Sequence, residues 1–218
     1  MRDRRLEGMD NFNVYRDFET EGEFQFPVIK PVYELPKIER WLDLQEFREL
    51  NAKGADLSKC GLQLYNWDYQ IQCLWLSPQK YTAALKKLAA VCAPDFSMYT
   101  DMPVVMQMWN HYKQQWLGAY WQANGVTVIP SIGWSTPESF EWAFDGVPRG
   151  GIVSVSTQGV RRNTDQAREF FRRGWGQATL WLNPCGVICY GKPFDFMTIT
   201  EQIKTVGMAA NEIKKEDI

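Results

Sequence analysis

The residues VTVIPSIGWSTPESF, at positions 126–140, carry the clearest structural signal in this chain. They begin with a short apolar run that contains the β-branched residues typical of a strand. They continue with Ser135-Thr-Pro-Glu138, which has the spacing of a capping box with proline in the first turn of a helix. The pattern therefore predicts a buried strand at residues 126–130 followed directly by a helix, the repeating unit of a parallel sheet.

Four further apolar runs repeat this pattern on either side. They predict strands at residues 61–65, 89–93, 151–156 and 186–190, separated by helices, with residues 178–182 ending a helix because Asn183-Pro184 follows. The longest helix is predicted at residues 103–123, with a core-facing stripe made of Val105, Trp109, Tyr112, Trp116 and Tyr120. The fold class is therefore α/β, a mostly parallel sheet of about five βα units that is either incomplete and barrel-like or open and doubly wound.

The N-terminal part of the chain lacks this pattern. Residues 1–58 are charged and interrupted by Pro27, Pro31 and Pro36, with one short helical pattern near residues 41–50. We expect residues 1–58 to form an irregular segment that packs on the core and covers an edge of the sheet. Residues 59–218 are expected to form a single α/β domain.

The overall composition indicates a soluble cytoplasmic protein with no membrane association. No apolar run approaches the roughly 20 residues of a membrane helix, and the first residues, MRDRRLEGMD, lack the apolar region of a secretory signal. The five cysteines are therefore predicted to be free thiols.

The residue types also restrict the chemistry. His111 is the single histidine, so a Ser-His-Asp triad, a Cys-His pair or a multi-histidine metal site would have to include it. We expect His111 to be a packed or surface residue. The chain has no glycine-rich nucleotide motif and no nucleophile-elbow motif. Its aromatic content, 14% of residues, predicts either a core of large side chains or a groove in which some rings stack on bases.

Charge is unevenly distributed along the chain. Between residues 149 and 192 seven basic residues face two acidic ones, although the net charge of the whole chain is −2. Such a local basic region indicates a phosphate-bearing partner. Arg161 and Arg162 follow a predicted tight turn at Gln158-Gly159 and precede a helix that Asn163 is expected to cap, so they are the candidate phosphate ligands. The alternative is an ion pair between Arg161 and Asp165.

The carboxyl ends of parallel strands meet at one edge of a sheet, where ligands bind. Polar and aromatic residues follow each predicted strand at that edge. The candidate ligand-binding residues are Ser97, Ser131, Trp134, Ser156, Gln158, Arg161, Arg162, Tyr190 and Lys192.

Three carboxylates at the same edge are the candidate catalytic residues. Asp68, Asp95 and Asp101 could together hold Mg²⁺ or Mn²⁺ and support metal-assisted phosphoryl chemistry. No motif requires another cofactor. In the alternative interpretation, Asp101 favours the start of the helix at residue 103 and Asp95 caps a turn.

A series of short motifs gives the chain a resemblance to a known family. They are Asp68-Tyr69, Pro78 with Tyr81, Pro94-Asp-Phe-Ser97, Tyr99, Asp101-Met-Pro103, Trp109-Asn110, Ser139-Phe-Glu-Trp142, Asp145-Gly146, Ser156-Thr157, Leu182-Asn-Pro184 and Tyr190-Gly191. Over roughly residues 60–195 the chain resembles the uncharacterised bacterial and phage domain-of-unknown-function family numbered 4417. The resemblance implies a protein of phages or other mobile elements and supplies no established activity. Similar proteins tend to have acidic residues near the positions of Trp67 and Gln72. This chain departs from that pattern, because neither residue is acidic.

Three functions remain open at this point. The first is a cytoplasmic phage-type protein that binds a phosphate-containing ligand, a nucleotide or nucleic acid, at the carboxyl ends of its strands. The second is a metal-assisted phosphoesterase or transferase that uses the three carboxylates. The third is a non-catalytic protein that binds and blocks a host protein through its aromatic surface. Whether the chain is an enzyme is left open.

Overall fold

The computed structural model describes residues 18–161 and 163–197, and the backbone of residues 203–206. The strands are β1 (Thr20–Glu21), β2 (Phe26–Pro27), β3 (Arg40–Leu42), β4 (Cys60–Leu62), β5 (Ala90–Cys92), β6 (Val128–Ile129), β7 (Ile152–Ser156), β8 (Gly186–Tyr190) and β9 (Ile203–Val206). The helices are α1 (Leu44–Ala52), α2 (Asp68–Leu76), α3 (Pro78–Leu85), α4 (Val104–Ala123), α5 (Gln158–Arg161) and α6 (Asp165–Leu182), with a 3₁₀ turn at Pro137–Glu141. The predicted α/β fold is thus confirmed.

The strands lie side by side in the order in which the chain makes them. β3 to β6 form a four-stranded parallel sheet and β7 to β9 a three-stranded parallel sheet, while a short antiparallel pair, β1 and β2, stands apart. A parallel bridge between Ser131 and Ser154 joins the two parallel sheets. A doubly wound sheet reverses its strand order partway, and this order does not reverse. The incomplete, barrel-like alternative therefore describes the fold, and the described strands form no closed barrel.

All five predicted strands are present, and most predicted helix boundaries are close to the observed ones. Ser77 precedes α3 with proline at its first position, and α4 ends at Asn124-Gly125, where Gly125 has a φ of +83°. Two capping predictions were wrong. Thr164, rather than Asn163, caps α6 by accepting the Ala167 amide at 3.2 Å. The predicted capping box at residues 135–138 begins a short 3₁₀ turn without a side-chain cap.

The predicted core stripe of α4 is only half correct. Trp116 and Tyr120 are buried, but Val105 and Trp109 are 72% and 42% exposed. A helix of 20 residues is about 30 Å long, whereas a strand of five residues spans about 17 Å. The first turns of α4 therefore extend past the carboxyl end of the sheet, and their outer side is exposed.

The N-terminal segment covers a face of the sheet and also contributes a strand to it. Val32, Leu35, Ile38 and Trp41 pack against one face, on a cluster formed by Ala90, Ile129, Ile152 and Ile188. A side chain at Gly61 would meet the Trp41 ring at 2.6 Å, so glycine is needed there for this contact. Trp41, which the helical pattern near residues 41–50 included, lies in β3, and α1 begins after the Asp43 cap. The division of the chain at residue 58 stays a prediction.

Two further sequence predictions concern the cysteines and membrane association. All five cysteines carry free thiols, as predicted. Among the residues described, none of the helices has the length and apolarity that crossing a membrane requires.

Candidate functional site

One face of the parallel sheet changes from apolar to polar towards the carboxyl ends of its strands. Ala90, Ile129, Ile152 and Ile188 contact the N-terminal segment on this face. Side chains alternate along a strand, so the residues two positions later point the same way. These residues are Cys92, Ser131, Ser154 and Tyr190. The polar end of this face is the candidate site.

Ser131 and Ser154 join the two parallel sheets, β3 to β6 and β7 to β9. Both are fully buried, and their Oγ atoms lie 3.0 Å apart. Ser131 also donates its hydroxyl to the carbonyl of Ala93 at 2.6 Å and accepts the Gln114 side-chain amide on its own carbonyl. Ser131 was predicted to bind a ligand; in the structure its hydroxyl meets Ser154 between the two sheets, and its carbonyl is bound by α4.

The rings of Tyr65 and Tyr190 stack on each other at the polar end of this face. Their rings stack at a centroid distance of 5.2 Å with an interplanar angle of 10°. Tyr65 follows β4 and Tyr190 ends β8, so the parallel layer curves strongly enough to bring distant strands into contact. Burial, together with the nearby Cys92 and Asp95, raises the pKa of Tyr65 well above its usual value. The Ser131 and Ser154 hydroxyls lie near the phenol and oppose this shift, but the Tyr65 hydroxyl has no hydrogen bond of normal geometry in the described part of the chain.

Asp95 is the most unusual group of the site. It lies in the loop after β5 and is half-buried, beside Gly133. Burial and then the charge of Asp68 raise the pKa of the Asp95 carboxyl to about 7. No described residue donates a hydrogen bond to this carboxyl. At neutral pH the group can therefore accept or release a proton without disturbing an internal hydrogen bond.

Asp68, in contrast, is firmly held. It begins α2, and its carboxylate accepts the backbone amide of Ser97 at 3.0 Å and the hydroxyl of Ser97 at 2.9 Å. Asn110 donates to the Ser97 carbonyl at 2.6 Å and fixes the same loop to α4. Burial lowers the pKa of Lys113, and the charge of Asp68 opposes that shift. The predicted residues Asp68 and Ser97 thus position the loop that carries Asp95.

Asp101 does not join the other two carboxylates. Its side chain is exposed in the turn before α4. In residues 18–161 and 163–197, no three His, Cys, Asp or Glu side chains are grouped so that they could hold a metal ion. The structure therefore brings Asp68 and Asp95 together and leaves the predicted three-carboxylate cation site incomplete. The catalytic role of each carboxylate stays a prediction.

Arg161 is engaged by the backbone. Its Nε donates to the carbonyl of Lys192 at 2.9 Å, and its guanidinium also donates to the carbonyl of Pro193 at 2.6 Å. It lies 4.2 Å over the ring of Phe194. The alternative ion pair with Asp165 is not formed, because the guanidinium connects α5 to the backbone at residues 192–193, and the role of Arg161 as a phosphate ligand stays a prediction. Asp165 pairs with Arg168 at 2.8 Å instead.

The other predicted ligand residues divide into three groups. Arg162 lies outside the described residues. Ser156, Gln158 and Lys192 lie at the ends of β7 and β8. There the Ser156 hydroxyl accepts the Gln158 backbone amide at 3.3 Å, and Lys192 is exposed. Trp134 packs in an apolar cluster against Phe171, at a ring distance of 5.0 Å, which does not suit an open stacking platform.

Sequence reasoning missed Tyr65, Cys92 and Ser154 as members of the site. Asn66 follows Tyr65, and its side-chain oxygen is buried without a hydrogen bond in the described part. Burial raises the pKa of the Cys92 thiol to about 12, so this cysteine is unreactive at neutral pH. The alternation of apolar and polar residues along the predicted strands could have indicated Cys92 and Ser154.

His111 is excluded from the site by its position in the core. Its Nε2 lies 2.9 Å from the carbonyl of Asp145, and its ring meets Phe26 edge-on at 4.6 Å. Burial lowers the pKa of His111 to about 4. Since the chain has one histidine, an NMR titration reports on it without assignment. We expect its imidazole signals to move near pH 4 in the folded protein and near pH 6.5 in urea. A folded-state midpoint near 6.5 would contradict this burial.

Comparison with known proteins adds a family and relatives. The family model described as Domain of unknown function (DUF4417) matches residues 18–206. The Gene 1 protein of Mycobacterium phage L5 is 33% identical over 184 residues, which cover 84% of this chain and 78% of that protein. The Gene 1 protein of Mycobacterium phage D29 is 32% identical over 185 residues, covering 84% of this chain and 66% of that protein. No solved structure matches the chain.

Proposed function

The chain belongs to the family described as Domain of unknown function (DUF4417) and is a phage-type protein. From the geometry of its candidate site we propose that it binds a nucleotide, free or within a nucleic acid, at the carboxyl ends of its parallel strands. Ligands of parallel α/β proteins bind at this edge of the sheet. The curved sheet places the loops after β4, β5, β7 and β8 around one polar face, which is the geometry that such binding requires.

The observation that carries the proposal is the carboxyl of Asp95, which is half-buried and accepts no hydrogen bond from the described residues. A buried polar group without a hydrogen bond costs about 1–3 kcal/mol, and more when it is charged. The Asn66 side-chain oxygen and the Tyr65 hydroxyl are buried and lack partners of normal geometry within the described part of the chain. Three such groups next to the same strand ends indicate a polar ligand that completes their hydrogen bonds.

The chemistry of these groups favours the base of a nucleotide. A carboxylate and an amide oxygen both accept hydrogen bonds, and the ring and exocyclic N–H groups of a nucleobase can supply them. The stacked rings of Tyr65 and Tyr190 lie next to them. In this arrangement the phosphate of the ligand points towards exposed Lys192, beside Ser156 and Gln158, within the basic part of the chain.

A metal-assisted phosphoesterase or transferase is the second candidate, and one observation supports it. The charge of Asp68 contributes to the raised pKa of Asp95, so the two carboxylates are close. Two carboxylates plus a substrate phosphate can hold Mg²⁺ or Mn²⁺, since these ions often keep several water ligands. Asp101 would then have no part in the site.

Calorimetry with the four ribonucleoside monophosphates tests the proposal. We expect at least one of them to bind, and Asp95→Asn to weaken that binding about tenfold or more, since a hydrogen bond to a charged group is worth roughly 1.5–3 kcal/mol. Asp101→Asn is the matched control and is expected to leave the affinity unchanged, because Asp101 is exposed outside the site. Lys192→Ala is expected to weaken the binding of nucleotides more than the binding of the corresponding nucleosides, which lack the phosphate.

Two results would contradict the proposal. One is that no nucleotide binds; the other is that Asp95→Asn and Asp101→Asn behave alike. The same titrations with MgCl₂ and MnCl₂ address the second candidate. Metal binding that Asp68→Asn and Asp95→Asn both abolish would favour the metal-assisted reaction, and an absence of metal binding in the wild-type protein would remove it.

A further inference from the structure

A surface of exposed apolar side chains lies beside the candidate site and takes no part in it. We call it the aromatic face. Its residues are large, apolar and exposed, and they lie at the start of α2, in the loop at residues 97–103 and in the first turns of α4. They are Trp67, Tyr69, Tyr99, Val104, Val105, Met106 and Trp109. Large exposed apolar patches of this kind on soluble proteins mark interaction sites.

Internal hydrogen bonds and ring contacts hold the three parts of the aromatic face together. Ser97 donates to Asp68, which connects the loop to the start of α2. The Gln107 side chain donates to the carbonyls of Tyr99 at 3.2 Å and Met102 at 2.9 Å, which folds the loop against α4. Trp109 meets Trp75 of α2 edge-on at 5.5 Å. These contacts give the face a defined shape before any partner binds.

Negative charge predominates in the segments that form the aromatic face, and an exposed cation beside them, Arg48, is already engaged with Cys73 at 2.9 Å and with the Tyr81 ring. Residues 60–79 and 88–112, which form it and its surroundings, contain no Lys or Arg, but they contain Asp68, Asp95 and Asp101. The first cation along α4 is Lys113, which is buried with its ammonium 4.0 Å from the centre of the Phe96 ring. A phosphate backbone would be repelled here, whereas a cation would be attracted.

We infer that the aromatic face binds a segment of a partner protein that carries Lys or Arg among apolar residues. Exposed Trp and Tyr rings receive such cations on their faces and also supply the large apolar contacts that dominate protein interfaces. The exposed carboxylate of Asp101 at the edge of the face complements the same charges. This inference does not depend on the proposed nucleotide site.

A second copy of this chain is a poorer occupant. On the outer side of α6, Arg168 pairs with Asp165 at 2.8 Å and Arg172 pairs with Glu169 at 2.7 Å. These arginines already have carboxylate partners within their own helix. A foreign segment with unpaired cations therefore fits the face better.

Synthetic peptides test the inference on the full-length protein. The probe is a labelled amphipathic peptide of Leu and Lys, and its counterpart replaces every Lys with Glu. We expect fluorescence anisotropy to show binding of the Leu/Lys peptide only. Tyr69→Ser combined with Val105→Ser is expected to weaken that binding about tenfold or more, since exposed anchors of this kind each contribute on that scale. The matched control is Leu180→Ser combined with Trp181→Ser, which removes an exposed aliphatic and an exposed aromatic residue from α6.

Asp101→Lys is a second variant that reverses one exposed charge and leaves the apolar residues in place. This variant is expected to weaken binding of the Leu/Lys peptide and to leave nucleotide binding unchanged. The inference is wrong if both peptides bind equally, if neither binds, or if the α6 control loses as much affinity as the face variant. It is also wrong if the face variant converts a dimer to a monomer in sedimentation, or if it abolishes binding of a single-stranded oligonucleotide.

Discussion

Gly174→Ala is expected to destabilise the protein by about 2 kcal/mol, whereas Gly176→Ala, two residues further along the same helix, is expected to stabilise it by about 1 kcal/mol. Both glycines lie in α6, where alanine has the higher helix propensity. The two variants differ only in what the added methyl group meets.

At position 174 the methyl group would meet a tryptophan. An ideal Cβ there would lie 2.2 Å from Nε1 and 2.4 Å from Cδ1 of Trp134, whereas nothing lies within 4 Å of a Cβ at position 176. Trp134 is part of an apolar cluster with Phe144 and Phe171, so its ring cannot retreat without disturbing that cluster. The overpacking at Gly174 therefore outweighs the gain in helix propensity.

Urea unfolding followed by tryptophan fluorescence measures both variants under the same conditions. Equal stability of the two variants would mean that the Trp134 ring moves aside at little cost. Trp134 would then be available to a ligand, as the sequence predicted, and its packed position would be one of several it adopts.

The positions of most parallel strands along the chain could be predicted from the sequence, because each is a short apolar run bounded by glycine, proline or polar residues. Residues 152–156 and 186–190 were predicted almost to the residue. The edge strand Arg40–Leu42 was missed, since three residues with a charged first position carry no periodicity. Strand order could not be predicted, because helix and strand patterns do not encode which edge of the sheet the next strand joins.

The site was predictable where topology alone decides position. Asp68, Asp95 and Ser97 lie at the strand ends because every loop of a parallel sheet on that side must end there. The hydrogen-bond partners of Arg161 were not predictable, since they are backbone carbonyls more than 30 residues away in the chain. A guanidinium next to a turn has the same sequence pattern whether it binds a phosphate or a backbone carbonyl.

Asp95→Asn is expected to increase the free energy of unfolding at pH 8 by up to about 4 kcal/mol, because it removes a carboxylate that the folded state holds without a hydrogen bond. The pKa of Asp95 is about 7 in the folded protein, against an ordinary value of 3.8. Between those two values the folded state keeps the proton and the unfolded state releases it. The stabilising effect of the protonated carboxyl is complete below pH 4 and is lost as the pH rises to 7.

His111 contributes in the opposite direction, since its pKa is lowered to about 4 and its protonation destabilises the folded state as the pH falls below 6.5. The difference between the variant and the wild-type protein at each pH removes this contribution, because both proteins contain His111. We expect that difference to be small at pH 4 and to grow up to pH 7. Chemical denaturation at pH 4, 6 and 8 measures it.

Asp101→Asn is again the matched control, and we expect it to change the stability by less than about 0.5 kcal/mol at every pH, as is usual for an exposed residue. A difference between Asp95→Asn and wild type that is the same at pH 4 and pH 8 would show that water solvates the Asp95 carboxylate in the folded protein. If the difference grows as expected while the variant also loses nucleotide affinity, the carboxylate destabilises the free protein at the position where it binds the ligand. A destabilising charge of this kind at a ligand site is explained by binding, since the hydrogen bonds missing in the free protein are formed by the ligand.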